Sequence, residues 1–299
     1  MLKGGISRER DVSLESGEAI AEALRDKQYA VTEIDVTDPE IPELDDASID
    51  VVFVALHGRF GEDGQVQSLL EEKGVPFTGS GSQASDVGMD KFASKNVFRE
   101  HDIPTPPFHT YSEGDRPVPP PCGLMSGLEE GDGFVIKPRS QGSSIGVTMV
   151  DQRNEIGKGV MKAREVESDI LVEPRMEGPE VTVGILNGEA LPVIQLELAR
   201  EFYDYEAKYQ DERTGYNLNP DFTEEQLQEM KDISIRAYEA LGCEGQARAD
   251  LILNDGKPYV LEINTIPGMT SHSLLPKAAK KAGLDFPELC EQILLSAFD

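Results

Sequence analysis

The clearest signs of chemistry in this sequence are polar side chains within an otherwise apolar hairpin near the C-terminal end. Residues 246–253 alternate apolar and polar side chains, residues 258–264 do the same, and Asn-Asp-Gly-Lys lies between them. Asn-Asp-Gly between two apolar runs favours a tight turn, so the two runs are predicted to pair as antiparallel strands. We expect residues 255–257 to form the loop.

This register places two acids opposite each other on one face of the hairpin. Asp250 faces Glu262 and Arg248 faces Asn264, and all four share a face because residues two apart on a strand point the same way. Opposed carboxylates repel unless a cation lies between them. Mg²⁺ suits such hard oxygen ligands and takes its other ligands from water and phosphates. The alternative is a solvated face on which Arg248 neutralises one acid.

A glycine- and serine-rich segment, residues 137–146, lies between two predicted strands. Backbone N–H groups in such a turn can surround phosphate oxygens, and Lys137 at the end of the apolar strand would add a positive charge. The segment is not a P-loop, because no Gly-Lys-Ser/Thr run opens a helix here. By itself it indicates either a phosphate-binding loop or an ordinary flexible turn.

Three other segments cluster polar residues. Residues 170–185 predict a strand, a turn with charged residues and a second strand. Residues 202–209 hold four aromatic side chains in a polar stretch without a clear period, which is typical of a functional lid or a disordered loop. Residues 4–10, two glycines followed by Ile-Ser-Arg-Glu-Arg, precede the first predicted helix. They would lie at the carboxyl edge of a sheet, where α/β proteins bind ligands.

The elements that must position these residues follow from hydrophobic patterning. Helices are predicted at residues 13–24, 65–73, 90–100 and 287–297, with another that begins at Thr223, and strands at 50–56, 75–78, 134–137, 146–150, 170–173 and 180–186. The apolar run at 50–56 is typical of a strand buried on both faces of a parallel sheet. Residues 112–133, rich in proline and glycine, are expected to be mostly loop. The first 84 residues therefore predict a small α/β layer structure.

Composition narrows the class of protein. The chain has 299 residues, 38% of them hydrophobic and 28% charged, enough for two or three globular domains. Its formal net charge of −28 disfavours nucleic acid and anionic membranes as partners. Three cysteines, Cys122, Cys243 and Cys290, lack pairing motifs and favour a reducing compartment. We find neither a signal peptide nor an apolar run of about 18 residues, so a cytoplasmic protein without a membrane partner is expected.

Taken together, these segments resemble the D-alanine–D-alanine ligases of the ATP-grasp superfamily, from Gly4 to the C-terminus. The most specific motifs are His57–Gly64, Gly79–Gly81, Met89–Lys91, Lys137–Gly146, Phe202–Tyr209 and Leu261–Ser273. The resemblance implies mixed α/β and α+β structure, an ATP-grasp fold preceded by an N-terminal Rossmann-like domain. The implied units are residues 1–84, a central subdomain at 85–178, and a C-terminal subdomain at 179–299 with a lid loop at 200–219.

The resemblance also implies a site for ATP and for two Mg²⁺ or Mn²⁺ ions. Lys91 and Lys137 would contact the phosphates, and Glu180 would hold the ribose. The remaining residues expected at the nucleotide are Glu173, Pro174, Arg175, Met176, Phe202 and Leu261. The metal ligands would be Asp250, Glu262 and Asn264, which agrees with the hairpin argument.

A second group of residues is implied at the amino-acid substrates. Glu9 would hold the amino group of the first D-alanine, with Ser143 and Tyr209 linked to it to order the lid. Arg248 and the backbone N–H of Gly268 would stabilise the oxyanion. The other residues expected at the substrates are His57, Lys208, Ser273 and Leu274, the last two at the carboxylate of the second D-alanine.

The expected activity is ATP-dependent ligation of two D-alanines through an acyl phosphate, for peptidoglycan precursor synthesis, by a cytoplasmic homodimer. One alternative is a ligase that makes D-alanyl-D-lactate, for which phenylalanine would be expected in place of Tyr209. A second is a non-catalytic nucleotide binder, which the presence of Asp250, Glu262 and Arg248 disfavours. A third is a ligase for other amine and acid substrates. The presence of Glu9, Ser143 and Tyr209 together disfavours it.

Two regions depart from the family pattern. The family usually has several apolar residues before Gly4-Gly5, whereas only three residues stand there in this sequence. We therefore expect the first strand to be short or missing, which would loosen Glu9. Residues 112–133 are also less helical in pattern than the family leads us to expect.

Overall fold

The computed structural model describes residues 1–117, 133–197 and 215–298. Within these ranges the strands form a two-stranded, a four-stranded and a six-stranded sheet, and helices pack against them. No helix among the described residues is long and apolar enough to cross a membrane.

The N-terminal layer consists of short parallel strands with helices around them. Its elements are β1 (Leu2–Gly4), α1 (Arg10–Asp26), β2 (Ile34–Val36), α2 (Gln65–Lys73) and α3 (Ser82–Met89). β1 pairs in parallel with β2. The first strand is thus present and has three residues, so the expectation of a short strand is confirmed.

The predicted strand at residues 50–56 is extended and buried but does not form a regular ladder. It makes only single parallel bridges, Leu2 to Val54 and Val52 to Phe77. The N–H of Val54 donates to the side-chain Oγ1 of Thr78 at 3.1 Å instead of to a backbone carbonyl. Residues 50–56 thus lie in parallel between β1 and residues 75–78, as predicted for a buried strand, but they pair through single bridges and not as a regular strand.

The central unit is a four-stranded antiparallel sheet with one helix, Ile156–Ala163, packed on it, whereas the helix Lys91–Glu100 packs against the C-terminal unit. Its elements are α4 (Lys91–Glu100), β3 (His109–Tyr111), β4 (Phe134–Pro138), β5 (Thr148–Val150), α5 (Ile156–Ala163) and β6 (Ile170–Pro174), in the sheet order β3-β6-β4-β5. Asp90 caps α4 by accepting hydrogen bonds from the N–H groups of Phe92 (2.9 Å) and Ala93 (3.1 Å). This cap fixes the helix start that carries Lys91.

The C-terminal unit contains the largest sheet. Its elements are β7 (Glu180–Leu186), β8 (Glu189–Ala190), β9 (Ile194–Glu197), β10 (Gly215–Asn217), α6 (Glu224–Ala240), β11 (Gln246–Asn254), β12 (Lys257–Asn264), α7 (Leu274–Lys281) and α8 (Phe286–Leu295). The sheet order is β10-β9-β7-β11-β12, with β8 on β7. The predicted capping box is confirmed, because Thr223 and Gln226 exchange hydrogen bonds at 3.1 and 3.2 Å.

One hydrophobic core joins the first helix to the last two. Ile20 and Leu24 of α1 belong to the same buried cluster as Leu275 of α7 and Leu289 and Ile293 of α8. Each buried aliphatic side chain of this size contributes about 1.5–3 kcal/mol. The loop that carries Glu9 is thereby held against the C-terminal unit.

Candidate active site

The β11–β12 hairpin pairs as predicted at its polar face but not at its turn. Asn254 pairs with Lys257, so the turn contains only Asp255 and Gly256, and the expected three-residue loop is wrong. Both turn residues have left-handed φ, +48° and +76°, as a type I′ turn requires. A β-bulge beyond Asp250 then leaves Leu261 as the extra residue on β12 and shifts the register by one.

Because the turn and the bulge offset each other, the predicted pairs are confirmed. Asp250 lies opposite Glu262, and Arg248 lies opposite Asn264. The Nε of Arg248 donates to Asp250 Oδ1 at 2.8 Å and its Nη2 donates to Oδ2 at 2.7 Å. Arg248 thus neutralises one acid. The Glu262 carboxylate lies 3.5 Å from the ammonium of Lys91.

The donor set on this face fits a magnesium-type ion. Asp250 and Glu262 offer opposed carboxylate oxygens, and the amide oxygen of Asn264 already accepts a hydrogen bond from the N–H of Ile266 at 3.0 Å. Among the described residues no group of three or more His, Cys, Asp and Glu side chains is arranged to hold a metal. An ion here would therefore use two carboxylates, one amide, and oxygens from water and phosphate, which is the usual pattern for Mg²⁺.

A cavity of about 370 Å³ lies between the central and C-terminal sheets. Every described residue expected at ATP lines it: Lys91, Lys137, Glu173, Pro174, Arg175, Met176, Glu180 and Leu261. Asp250 and Glu262 border the same space. The guanidinium of Arg175, partly exposed, pairs at 3.0 Å with the exposed carboxylate of Asp151.

Apolar walls that sequence reasoning missed complete this cavity. Val135 of β4, Met149 of β5 and Leu196 of β9 line it. The signal for Val135 was strand alternation, since it is the half-buried position between the core residues Phe134 and Ile136. A slot with apolar sides and polar ends suits a flat aromatic base.

A buried glutamate, Glu173, lies between two lysines at the floor of the cavity. Its carboxylate oxygens lie 2.6 Å from Lys95 Nζ and 2.7 Å from Lys137 Nζ. Burial alone would raise the pKa of Glu173, but the two ammonium groups outweigh it and the net pKa is lowered. Burial lowers the pKa of Lys95 to about 8. Lys95 was not predicted, although it lies one helical turn after Lys91 on the same face.

The glycine- and serine-rich loop is fixed to the start of α4. Lys91 donates from its N–H to Arg139 O at 3.0 Å and from its ammonium to Gln141 O at 2.8 Å. The Arg139 guanidinium binds both carboxylate oxygens of Asp90, with Nε at 2.8 and 2.9 Å. Ser143 and Ser144 in this loop have left-handed φ of +50° and +58°. Such non-glycine conformations cost about 1–3 kcal/mol each and concentrate at functional sites.

A smaller pocket of about 50 Å³ adjoins the first and is lined by most of the described residues expected at the substrates, but not by Ser273 or Leu274. It is lined by Glu9, His57, Ser143, Arg248, Asn264 and Gly268. Ser143 Oγ donates a hydrogen bond to Glu9 Oε1. Lys91, Gly142 and Glu262 line both cavities. A group bound in one cavity would therefore meet a group bound in the other.

A second acid that sequence reasoning missed, Glu62, stands beside His57 in this pocket. His57 Nδ1 lies 3.6 Å from Glu62 Oε1, and the N–H of Gly58 donates to Glu62 Oε2 at 2.8 Å. Burial alone would lower the pKa of His57, but the carboxylates of Glu62 and Glu9 outweigh it and the pKa is raised. Glu62 could have been found from the sequence, because His57 and Glu62 both belong to the motif His57–Gly64, on which the family resemblance partly rests.

Ser273 and Leu274 mark the start of α7 beside this pocket. Ser273 occupies the N-cap position, and its Oγ accepts a hydrogen bond from the N–H of Thr270 at 3.0 Å. A Cβ at Gly268 would lie 2.8 Å from Ser273 Oγ. Only a glycine fits there without displacing the serine, so Gly268 and Ser273 are in contact. Phe202, Lys208 and Tyr209 lie outside the described residues.

Comparison with known proteins gives a consistent family. The model described as "D-ala D-ala ligase C-terminus" matches residues 97–295, and that described as "D-ala D-ala ligase N-terminus" matches residues 38–80. The D-alanine–D-alanine ligase of Syntrophotalea carbinolica is 43% identical over 297 residues, which cover 99% of this chain and 95% of that protein. The one from Pelotomaculum thermopropionicum is 39% identical, with 100% and 96% covered.

A solved structure agrees over the same length. The D-alanine–D-alanine ligase from Bacillus anthracis complexed with ATP superposes with a TM-score of 0.87 at 31% identity, covering 99% of this chain and 95% of that one. The expected fold is thereby confirmed. With its paired cavities and its full-length match to these relatives, the chain belongs to the family of D-alanine–D-alanine ligases.

Proposed function

We propose that this protein joins two D-alanine molecules at the expense of ATP, giving D-alanyl-D-alanine, ADP and phosphate for peptidoglycan precursors. The observation that carries the proposal is the junction of the two cavities at Lys91, Gly142 and Glu262. Ligation through an acyl phosphate requires a nucleotide γ-phosphate and a substrate carboxylate to meet at one place, and this junction supplies it.

In the first step the carboxylate of the first D-alanine attacks the γ-phosphate of ATP. Glu9, fixed by Ser143 and by the core under α1, would bind the ammonium of this D-alanine. Lys91 and Lys137 would bind the phosphates, and Glu180 with residues 173–176 would hold the nucleoside. Phosphoryl transfer depends mainly on positioning and on charge neutralisation, which these residues provide.

Asp250, Glu262 and Asn264 would hold the two Mg²⁺ or Mn²⁺ ions, which supply positive charge to the β- and γ-phosphate oxygens when bound. Arg248 pairs with Asp250. We propose that Arg248 exchanges this partner for the reacting phosphate and oxyanion as the site fills. The support is its place in the lining of the smaller pocket.

In the second step the amine of the second D-alanine attacks the acyl phosphate, and inorganic phosphate leaves. The developing oxyanion would be bound by Arg248 and by the N–H of Gly268, each worth about 3 kcal/mol of barrier. Ser273 and Leu274, at the N-terminus of α7, would receive the second carboxylate, because the positive end of a helix dipole favours an anion.

Water must be kept from the acyl phosphate. On the family resemblance we assign this task to the predicted lid, residues 200–219, with Phe202, Lys208 and Tyr209. The prediction of a loop over the whole segment is wrong at its end, because Gly215–Asn217 form β10 and pair with β9. Closure of a lid over reactive intermediates is a common solution. Tyr209 also favours a dipeptide former over a D-alanyl-D-lactate ligase.

We further propose a homodimer in the cytoplasm, and three units at residues 1–84, 85–178 and 179–299. These proposals rest on family membership and on changes in the secondary-structure pattern along the sequence. Light scattering of the purified protein tests the dimer: we expect twice the mass of one chain, and the mass of a single chain would contradict the proposal.

The proposed activity is tested by ATP-dependent phosphate release with D-alanine, L-alanine, or D-alanine plus D-lactate. We expect release with D-alanine, together with dipeptide detected by mass spectrometry, little release with L-alanine, and no depsipeptide at neutral pH. Depsipeptide as the main product would favour the D-alanyl-D-lactate alternative. ATP binding without any release would favour a non-catalytic nucleotide binder.

A further inference from the structure

A fully buried lysine, Lys95, lies behind Glu173, which lines the larger cavity, and has no part in the steps described above. Its side chain is 0% exposed. Burial of an ammonium group is costly unless the group is paired and hydrogen-bonded. The partners of Lys95, which lies on the buried face of α4 one turn after Lys91, therefore decide what this ammonium group does.

Lys95 connects the floor of the cavity to the strand that carries Glu262. Its Nζ lies 2.6 Å from Glu173 Oε1 and donates to Thr105 Oγ1 at 2.6 Å. Thr105 in turn donates to the carbonyl of Val260 in β12 at 2.8 Å. The position of the Glu173 carboxylate is thereby tied to β12.

The carboxylate of Glu173 pairs with two ammonium groups at once, one at each oxygen. Its second oxygen, Oε2, lies 2.7 Å from Lys137 Nζ, so one carboxylate balances two ammonium groups. The cluster as a whole keeps one net positive charge at the edge of the cavity. If Lys95 were neutral, the full negative charge of Glu173 would act on Lys137 alone, and Lys137 would have less positive charge to offer a phosphate.

We propose that Lys95 is a positioning residue for nucleotide binding, which holds one oxygen of Glu173 so that Lys137 stays available to the phosphates of ATP. This inference rests on the proposed function, because it takes ATP as the occupant of the larger cavity. The charged groups that face Lys95 are Glu173 on β6, Lys137 on β4 and, further away, Glu262 on β12.

The test is the affinity for Mg²⁺-ATP, measured by calorimetry without D-alanine, in Lys95→Met and in the control Lys158→Met. The control makes the same change of charge at an exposed lysine on α5. We expect the dissociation constant to rise about tenfold or more in Lys95→Met, the scale of one charge-assisted contact, and to stay within about twofold in the control. The Michaelis constant for D-alanine should be unchanged in both.

A double variant separates positioning from packing. In the Glu173→Gln background there is no carboxylate charge to divide, so adding Lys95→Met should cost little further ATP affinity. A Lys95→Met penalty of the same size in both backgrounds would mean a packing role and would overturn the inference. Wild-type affinity with Lys95→Met would overturn it too.

A measurement on the wild-type protein covers the case in which Lys95→Met does not fold. Because burial lowers the pKa of Lys95 to about 8, ATP affinity should fall as pH rises from about 7 to about 9. A constant affinity over this range overturns the inference. If instead the wild-type protein neither binds ATP nor releases phosphate, the proposed function itself fails.

Discussion

Ser143 donates a hydrogen bond to the carboxylate of Glu9, although the two residues are 134 positions apart in the chain. Glu9 precedes α1 in the N-terminal unit, and Ser143 belongs to the loop that lines the nucleotide cavity. The contact joins the place where the first substrate would bind to the place where ATP phosphates would bind. Neither residue is more than 8% exposed, so water competes weakly for the bond.

Removal of the Ser143 hydroxyl should weaken binding of the first D-alanine more than binding of ATP. In Ser143→Ala we expect the Michaelis constant for D-alanine to rise about tenfold, as for loss of a hydrogen bond to a charged group. The control is Ser140→Ala in the same loop, whose hydroxyl bonds to Glu167 outside the pocket. The test is steady-state kinetics in which the concentration of each substrate is varied in turn. An unchanged Michaelis constant for D-alanine in Ser143→Ala would show that Ser143 does not contribute to substrate binding.

Glu262→Gln should nearly abolish turnover, because it removes one metal-binding charge and keeps the shape of the side chain. The concentration of Mg²⁺ needed for half-maximal rate should also rise in any residual activity. Glu189→Gln, at an exposed acid on β8, makes the matched charge change away from the site. Near-normal turnover of Glu262→Gln at ordinary Mg²⁺ concentrations would contradict the metal assignment.

Tyr209→Phe should admit D-lactate as the second substrate at neutral pH. The change removes one hydroxyl, which the family resemblance links to Glu9 and Ser143. Product analysis by mass spectrometry with mixed D-alanine and D-lactate gives the answer. A variant that forms dipeptide alone would count against that network.

The fold is expected to lose the stabilising contribution of His57 as pH rises. The folded-state pKa of His57 is raised above its ordinary 6.5, so its contribution is complete below pH 6.5 and is lost as pH passes the folded-state pKa. Urea unfolding at about pH 6 and about pH 9 should therefore show a smaller pH effect in His57→Gln than in the wild-type protein. Equal pH effects in the two proteins would refute the coupling of His57 to Glu62 and Glu9.

Sequence alone predicted the elements that have a strong local period. The α1 and α6 helices, the Thr223 capping box and the opposed pair Asp250 and Glu262 follow from spacing along a single segment. The turn of the β11–β12 hairpin was assigned one residue too many, and the bulge at Leu261 offset the error. The correct pairing at the site therefore resulted from two errors that cancel. The bulge could not be predicted, because it leaves no trace in the periodicity of the sequence.

Contacts between distant segments could not be read from spacing. The Glu9–Ser143 bond was expected from family resemblance, since nothing local relates the two residues. Lys95 was missed, because a buried charge is recognised only by its partner, and Glu173 lies 78 residues after Lys95 in the sequence. Glu62 was missed although its partner His57 lies in the same short motif. The run at residues 50–56 was correctly predicted as a largely buried strand, while its pairing through single bridges could not be read from its apolar pattern.

The central claim is that a substrate carboxylate from the smaller pocket attacks ATP bound in the larger one. The direct measurement uses D-alanine labelled with oxygen-18 in its carboxylate and follows the label by phosphorus NMR of the released phosphate. Attack on the γ-phosphate followed by amide formation should leave one labelled oxygen in each phosphate. Dipeptide formation with unlabelled phosphate would contradict the account.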